Sequence, residues 1–217
     1  MKPLPRLHAV TDDGVLARPD FPERARAVMA AGRGRVAIHL RGRGTAAARL
    51  YELAASLREA SAAEGALLLA NDRVDLARAA GLDGVHLPAR ALPPAVARGL
   101  LPVGGAWVGV SVHDVAGARA AAPDADYLVV GTVFATPSHP GRTGAGPGMV
   151  ARVHAAVSLP LLAIGGVTPE RVPELLGAGA SGVAVSSGIW GAADPGAAVH
   201  EFLRSLPEGA AAAPRKG

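Results

Sequence analysis

The chain has 217 residues, 50% hydrophobic, 18% charged and 3% aromatic, which suits one sizeable core and excludes a disordered chain. It has no cysteine, which excludes disulfides, iron–sulfur clusters and a thiol nucleophile. The net charge is only +4 although the pI is about 10.3, because lysine occurs only at Lys2 and Lys216 and arginine carries the rest, scattered except over 33–43, a pattern that points away from a nucleic-acid partner.

In chain order, short apolar runs alternate with alanine-rich stretches at helical spacing. Leu7–Val10 precedes a helical stretch at Phe21–Ala31, and Val36–Leu40 precedes Thr45–Glu64. Leu67–Ala70 is followed by Val74–Ala80, Gly84–Leu87 by Pro94–Gly99, and Trp107–Ser111 by Ala116–Ala121. Tyr127–Val130 leads through a glycine-rich loop to Pro147–Val157, Leu161–Ile164 to Pro169–Leu176, and Gly182–Val185 to Pro195–Leu206. The apolar runs do not alternate with polar residues, as expected of parallel strands covered on both faces. Eight such units predict a single α/β domain over residues 1–206, a (β/α)8 TIM barrel, with an open doubly wound sheet as the alternative. Residues 207–217 read as a flexible tail. No run approaches the roughly 20 apolar residues of a membrane span, and MKPLPRLHAV lacks the apolar core of an export signal, so the expectation is a cytoplasmic protein with no membrane partner.

In such a barrel the chemistry gathers at the C-terminal ends of the strands. There the sequence places Thr11-Asp12-Asp13, His39/Arg41/Arg43, Asn71-Asp72-Arg73, His86, Ser111/His113, the 131–146 loop, Gly165-Gly166 and Ser186-Ser187-Gly188. The small residues of Ala-Ile-Gly-Gly (163–166) and Val-Ser-Ser-Gly (185–188) would let backbone N–H groups reach a phosphate; otherwise they only permit tight turns. His39, Arg41 and Arg43 alternate along one strand and share a face, where the arginines could hold a carboxylate or phosphate; Arg43 could equally be surface charge. Asn71 or Asp72 could cap the next helix, and Asp72 could bind Mg2+, although one carboxylate is few ligands for it. His39, His86, His113 and His139 are candidate acid–base groups near neutral pH.

Taken together, LHAVTDD (7–13), IHLRGR (38–43), NDRVDLA (71–77), DGVHL (83–87), GVSVHD (109–114), ADYLVVGTVFATPS (125–138), LPLLAIGGVTPE (159–170) and SGVAVSSGI (181–189) resemble the thiamine phosphate synthase/TenI family. The resemblance implies a TIM barrel, often a homodimer, acting on a thiazole phosphate in thiamin biosynthesis. The synthase branch joins a pyrimidine methyl pyrophosphate to that thiazole, using a Gln-x-Arg-x-Lys set, two aspartates for Mg2+ and a lysine after the sixth strand. Here the first set reads His39-Leu40-Arg41-Gly42-Arg43, only Asp72 stands for the aspartates, Pro-Ala-Arg-Ala follows His86-Leu87, and His139 stands near the lysine position.

LHAVTDD and His-x-Arg-x-Arg look like the TenI branch, some of whose members are thiazole tautomerases that need no cofactor. Their catalytic histidine falls at Thr132 in this chain, so a proton transfer would need His139 or His113, with His39 third. The expectation is therefore a TenI-like isomerase acting on a carboxythiazole phosphate, with His139, His113 and Arg41 catalytic. Gly165, Gly166, Ser186, Ser187, His39, Arg43, Asn71, Ser111, Thr132, Thr136 and Ser138 would bind the substrate. The first alternative is a Mg2+-using thiamine phosphate synthase with Asp72 on the metal. The second is a non-catalytic phosphate-ligand binder on the same barrel.

Overall fold

The structure, a computed structural model, describes residues 2–102, 105–136 and 143–212. Eight parallel strands pair in sequence order, β1 closing onto β8, so the barrel expectation holds and the open sheet is excluded. The strands are β1 (Leu7–Val10), β2 (Val36–Leu40), β3 (Leu67–Asn71), β4 (Gly84–Leu87), β5 (Trp107–Val112), β6 (Tyr127–Gly131), β7 (Leu161–Ile164) and β8 (Gly182–Val185). Around them lie α1 (Asp13–Leu16), α2 (Phe21–Gly32), α3 (Ala47–Ala63), α4 (Val74–Ala79), α5 (Pro94–Leu100), α6 (Val115–Ala121), α7 (Pro147–His154), α8 (Val172–Gly177), α9 (Ser187–Trp190) and α10 (Pro195–Ser205). A 3-10 turn at Pro169–Arg171 enters α8. Among the described residues no helix is long and apolar enough to cross a membrane.

The strands are apolar throughout because they serve two cores. Ile38, Leu40, Leu68, Val85, Leu128 and Val130 face the helices, while Ala37, Leu67, Leu69, Tyr127, Val129 and Leu162 fill the barrel. Interior positions include His8, His39 and His86, each between two outward-facing apolar residues of its strand and each buried. Tyr127 completes this layer, and Gly109 makes room for it: a Cβ there would lie 2.4 Å from its hydroxyl oxygen.

The N-terminal end of the barrel is closed by chain termini. Trp107 Nε1 donates to the Lys2 carbonyl at 3.1 Å, and Leu4 forms an antiparallel bridge with Ala212. The segment read as a flexible tail is therefore tied down at Ala211 and Ala212, where backbone hydrogen bonds to Leu4 replace solvent; residues 213–217 lie outside the described residues. The short helices α1 and α9 were absent from the sequence reading, since single turns leave no periodicity to detect.

Candidate active site

At the C-terminal end of the strands opens a cavity of about 560 Å³. Its walls bring together twelve of the residues singled out from the sequence. Arg41, Arg43 and His39 come from β2 and its loop, Asn71 from β3, Ser111 and His113 from β5, and Thr132 and Thr136 from β6 and its loop. Gly165, Gly166, Ser186 and Ser187 come from the β7 and β8 loops. Ser138 and His139 lie outside the described residues. Thr11, Asp12, His86 and Gly188, which the sequence places at strand ends without a substrate-binding role, also line the cavity.

Asp72 does not line the cavity. Neither it nor Asn71 caps α4, whose N-terminal flanking residue is Arg73. Asp72 instead takes a left-handed backbone, φ +62°, with its N–H bonded to the His86 carbonyl at 2.8 Å. Asp72 thus forms a turn before the helix, and the capping expectation does not hold: α4 begins behind Arg73 with no side-chain cap.

The β2 side of the mouth is held by the β1 loop. Asp13 accepts hydrogen bonds from the N–H groups of Arg43 (3.1 Å) and Gly44 (3.0 Å) and from the Thr45 hydroxyl (2.6 Å). These donors keep its carboxyl below the usual range, Thr45 most of all. The Thr11 oxygen accepts from Arg41 N–H at 2.8 Å. Arg41 is half-buried; burial and then Arg43 lower its pKa, against the pull of Asp12 and Asp13. A guanidinium so placed stays charged and faces the cavity.

The β7–β8 side is built differently. Gly165 and Gly166 have φ of +103° and +59°, and they pack directly on the β6 loop. A Cβ on Gly165 would lie 2.4 Å from Thr132 Cγ2, and one on Gly166 2.5 Å from the Ala135 carbonyl oxygen. Arg171 braces this contact, donating to the Gly166 carbonyl at 2.6 Å with its guanidinium 4.4 Å from the Phe134 ring centre. The peptide between Gly131 and Thr132 is cis.

The floor is formed by histidines. His8 Nε2 is 3.1 Å from the Pro5 carbonyl, which can only accept, so this nitrogen bears the proton. In the neutral ring Nδ1 is then an acceptor, and His39 Nε2 donates to it at 2.7 Å. His39 is thereby left with a bare Nδ1, buried and without a hydrogen-bond partner among the described residues. Burial pulls His8 down to about 3 and His39 well below its ordinary value; for both, the charges of neighbouring histidines add to the effect. Burial, then the charge of Arg41, lowers His86 to about 3, and its Nε2 meets the Ser111 hydroxyl at 2.8 Å. These rings stay neutral near pH 7, which makes His39 a poor proton carrier. His113 is exposed at the rim, with its Nδ1–H donating to the Gly131 carbonyl at 2.5 Å.

The cavity does not make a standing Mg2+ site. Every carboxylate side chain in the sequence falls among the described residues. Asp12 alone lines the cavity, and one of its oxygens already accepts the Val15 N–H at 2.9 Å. Among the described residues no group of three or more potential ligands converges. Arg41 and Arg43 stand in the same wall, where a further dication would be repelled.

Fold and cavity define a TIM barrel with a polar mouth over a neutral floor. The family model described as thiamine monophosphate synthase matches residues 7–189, and the chain belongs to that family. It is 43% identical over 216 residues to a thiamine-phosphate synthase of Methanoculleus marisnigri, covering 97% of this chain and 98% of that one. A thiamine-phosphate synthase of Moorella thermoacetica is 41% identical over 172 residues, covering 78% and 81%. Among solved structures, thiamine phosphate pyrophosphorylase from Pyrococcus furiosus superposes with a TM-score of 0.79 at 29% identity, covering 92% and 94%. The relatives carry the name of the transferase, and none of these matches supports the isomerase that the sequence placed first.

Proposed function

We propose that the protein is a thiamine-phosphate synthase, joining a pyrimidine methyl pyrophosphate to a thiazole phosphate. The end-to-end likeness to a thiamine-phosphate synthase is the observation that carries the reading. In this reaction the C–O bond to pyrophosphate breaks and its electron pair leaves with the pyrophosphate. The thiazole nitrogen then supplies the pair that forms the new C–N bond to the methylene carbon. No proton must be abstracted from carbon, so a threonine at position 132 is no obstacle to this step, whereas it lacks the basicity for tautomerisation.

The residues divide by the charge they meet. Backbone N–H groups around Gly165, Gly166, Ser186 and Ser187 would bind the thiazole phosphate, with Thr136 beside them. Arg41 and Arg43 would take the pyrophosphate, stabilising its charge as it departs. Asn71, Ser111 and the neutral His39 and His86 would shape the space where the rings meet, and His113 would close the rim.

The test is product analysis with both substrates and with the carboxythiazole phosphate alone. Thiamin phosphate and pyrophosphate in equal amounts are expected from the pair. Aromatised thiazole from the single substrate, without thiamin phosphate from the pair, would restore the isomerase reading. Tight binding without any product would make the chain a binder.

A further inference from the structure

Phosphate chemistry with a departing pyrophosphate generates more negative charge than one guanidinium can balance, and Mg2+ is the usual partner for it. The cavity offers that ion little. Beyond Asp12 its nearest carboxylates are spent or displaced: Asp13 is occupied by three donors of the 43–45 loop, and Asp72 stands off the wall. The wall that follows β4 presents Pro88 and Ala89, which have no ligand atom in their side chains. The residues beyond the description contain no aspartate or glutamate, so none can come from there.

What the mouth does carry is two arginines held by design of the backbone. The Arg41 N–H is fixed by Thr11 and the Arg43 N–H by Asp13, so both guanidinium stems start from anchored backbone. Two guanidiniums and one carboxylate, Asp12, line this wall, with the carboxylate of Asp13 held behind them by the backbone of the 43–45 loop. A pre-placed pair of this kind can make bidentate bonds to successive phosphate groups, without a metal between them.

We infer that this chain binds the pyrophosphate group directly through Arg41 and Arg43, with no requirement for a divalent cation. The choice of pyrophosphate rests on the synthase reading. The binding mode rests on the wall itself.

Inorganic pyrophosphate is the probe, titrated calorimetrically into the full chain at matched free pyrophosphate, in EDTA and in Mg2+. Affinity is expected to agree within about threefold between the two, and to fall about tenfold or more in Arg43→Gln, whose exposed loop position leaves the core untouched. Ala89→Asp, which adds a carboxylate to the wall that follows β4, is expected to weaken binding in EDTA and to introduce a dependence on Mg2+. Pyrophosphate binding seen only with Mg2+, or unchanged affinity in the Arg41→Gln, Arg43→Gln double variant, would overturn the inference. The outcome is independent of turnover: a chain that binds pyrophosphate in EDTA yet makes no thiamin phosphate refutes the synthase reading and leaves this one standing.

Discussion

The two walls of the cavity are built by opposite means. On the β2 side two side-chain charges, Arg41 and Arg43, are steered by hydrogen bonds that their backbone N–H groups donate to Thr11 and Asp13. On the β7–β8 side no cation among the described residues lines the wall, which small residues form instead. Their footings differ too. His8, His39 and His86 lie beneath strands β1, β2 and β4, whereas Leu162, Ile164 and Ala184 lie beneath the other wall. One wall depends on charge over a polar base, the other on shape over an apolar one, and the two should fail under different perturbations.

Shape should fail hardest. Gly166→Val forces a side chain at φ +59° into the Ala135 carbonyl and Phe134, so the β6 and β7 loops must part. Displacement of that size is expected to lower turnover about 100-fold. The backbone strain should cost about 1–3 kcal/mol in a urea melt. An active variant would mean that the loops need not touch.

Acid should act on the other wall's footing. His8 and His86 titrate near 3 in the folded chain and His39 well below its ordinary value, against about 6.5 when unfolded. Below about 6.5 the unfolded chain therefore binds protons that the folded chain refuses, and stability falls as pH falls toward 3. Each histidine that stays neutral contributes a slope of about 1.4 kcal/mol per pH unit in that window and nothing above it. Denaturant unfolding at pH 7.5, 6.5 and 5.5 checks this. A flat profile would show that the floor takes up protons while folded.

The charged wall answers next to the form of its charge. Arg41→Lys keeps the cation but loses the planar fork, and about a tenfold rise in KM is expected for the pyrophosphate substrate alone. An equal rise for the thiazole phosphate would place Arg41 between the two ligands.

These contrasts were unequally legible in the sequence. Strand positions were, because doubly covered strands are continuous apolar runs, and the barrel followed from their number. The glycine and serine wall was legible for the same reason, since Gly165 and Ser186 directly follow such runs. The histidine footing was not. His8 and His39 are 31 positions apart, and only the pairing of β1 with β2 sets their ring nitrogens 2.7 Å from each other. Asn71 and Asp72 misled because capping residues and strand-end turns use the same side chains, and only the left-handed backbone at Asp72 separates them. The relatives favour the synthase over the isomerase because the pattern of the whole chain weighs more than single positions such as Thr132.

The smallest effect is expected where a residue touches no ligand. Asp13 is exposed and does not line the cavity, yet it receives three hydrogen bonds from the loop that carries Arg43. Asp13→Asn keeps the size but removes the charge and one set of acceptor lone pairs. The loop should still fold, since Thr11 continues to hold the Arg41 N–H. Arg43 would then sample more positions, raising KM for the pyrophosphate substrate about threefold while kcat and the thiazole KM stay put. Asp13→Glu, which retains the charge, should recover part of that loss. A change in kcat instead would mean that Asp13 shapes the reacting geometry itself, and the β1 loop would then belong to the catalytic wall rather than to its support.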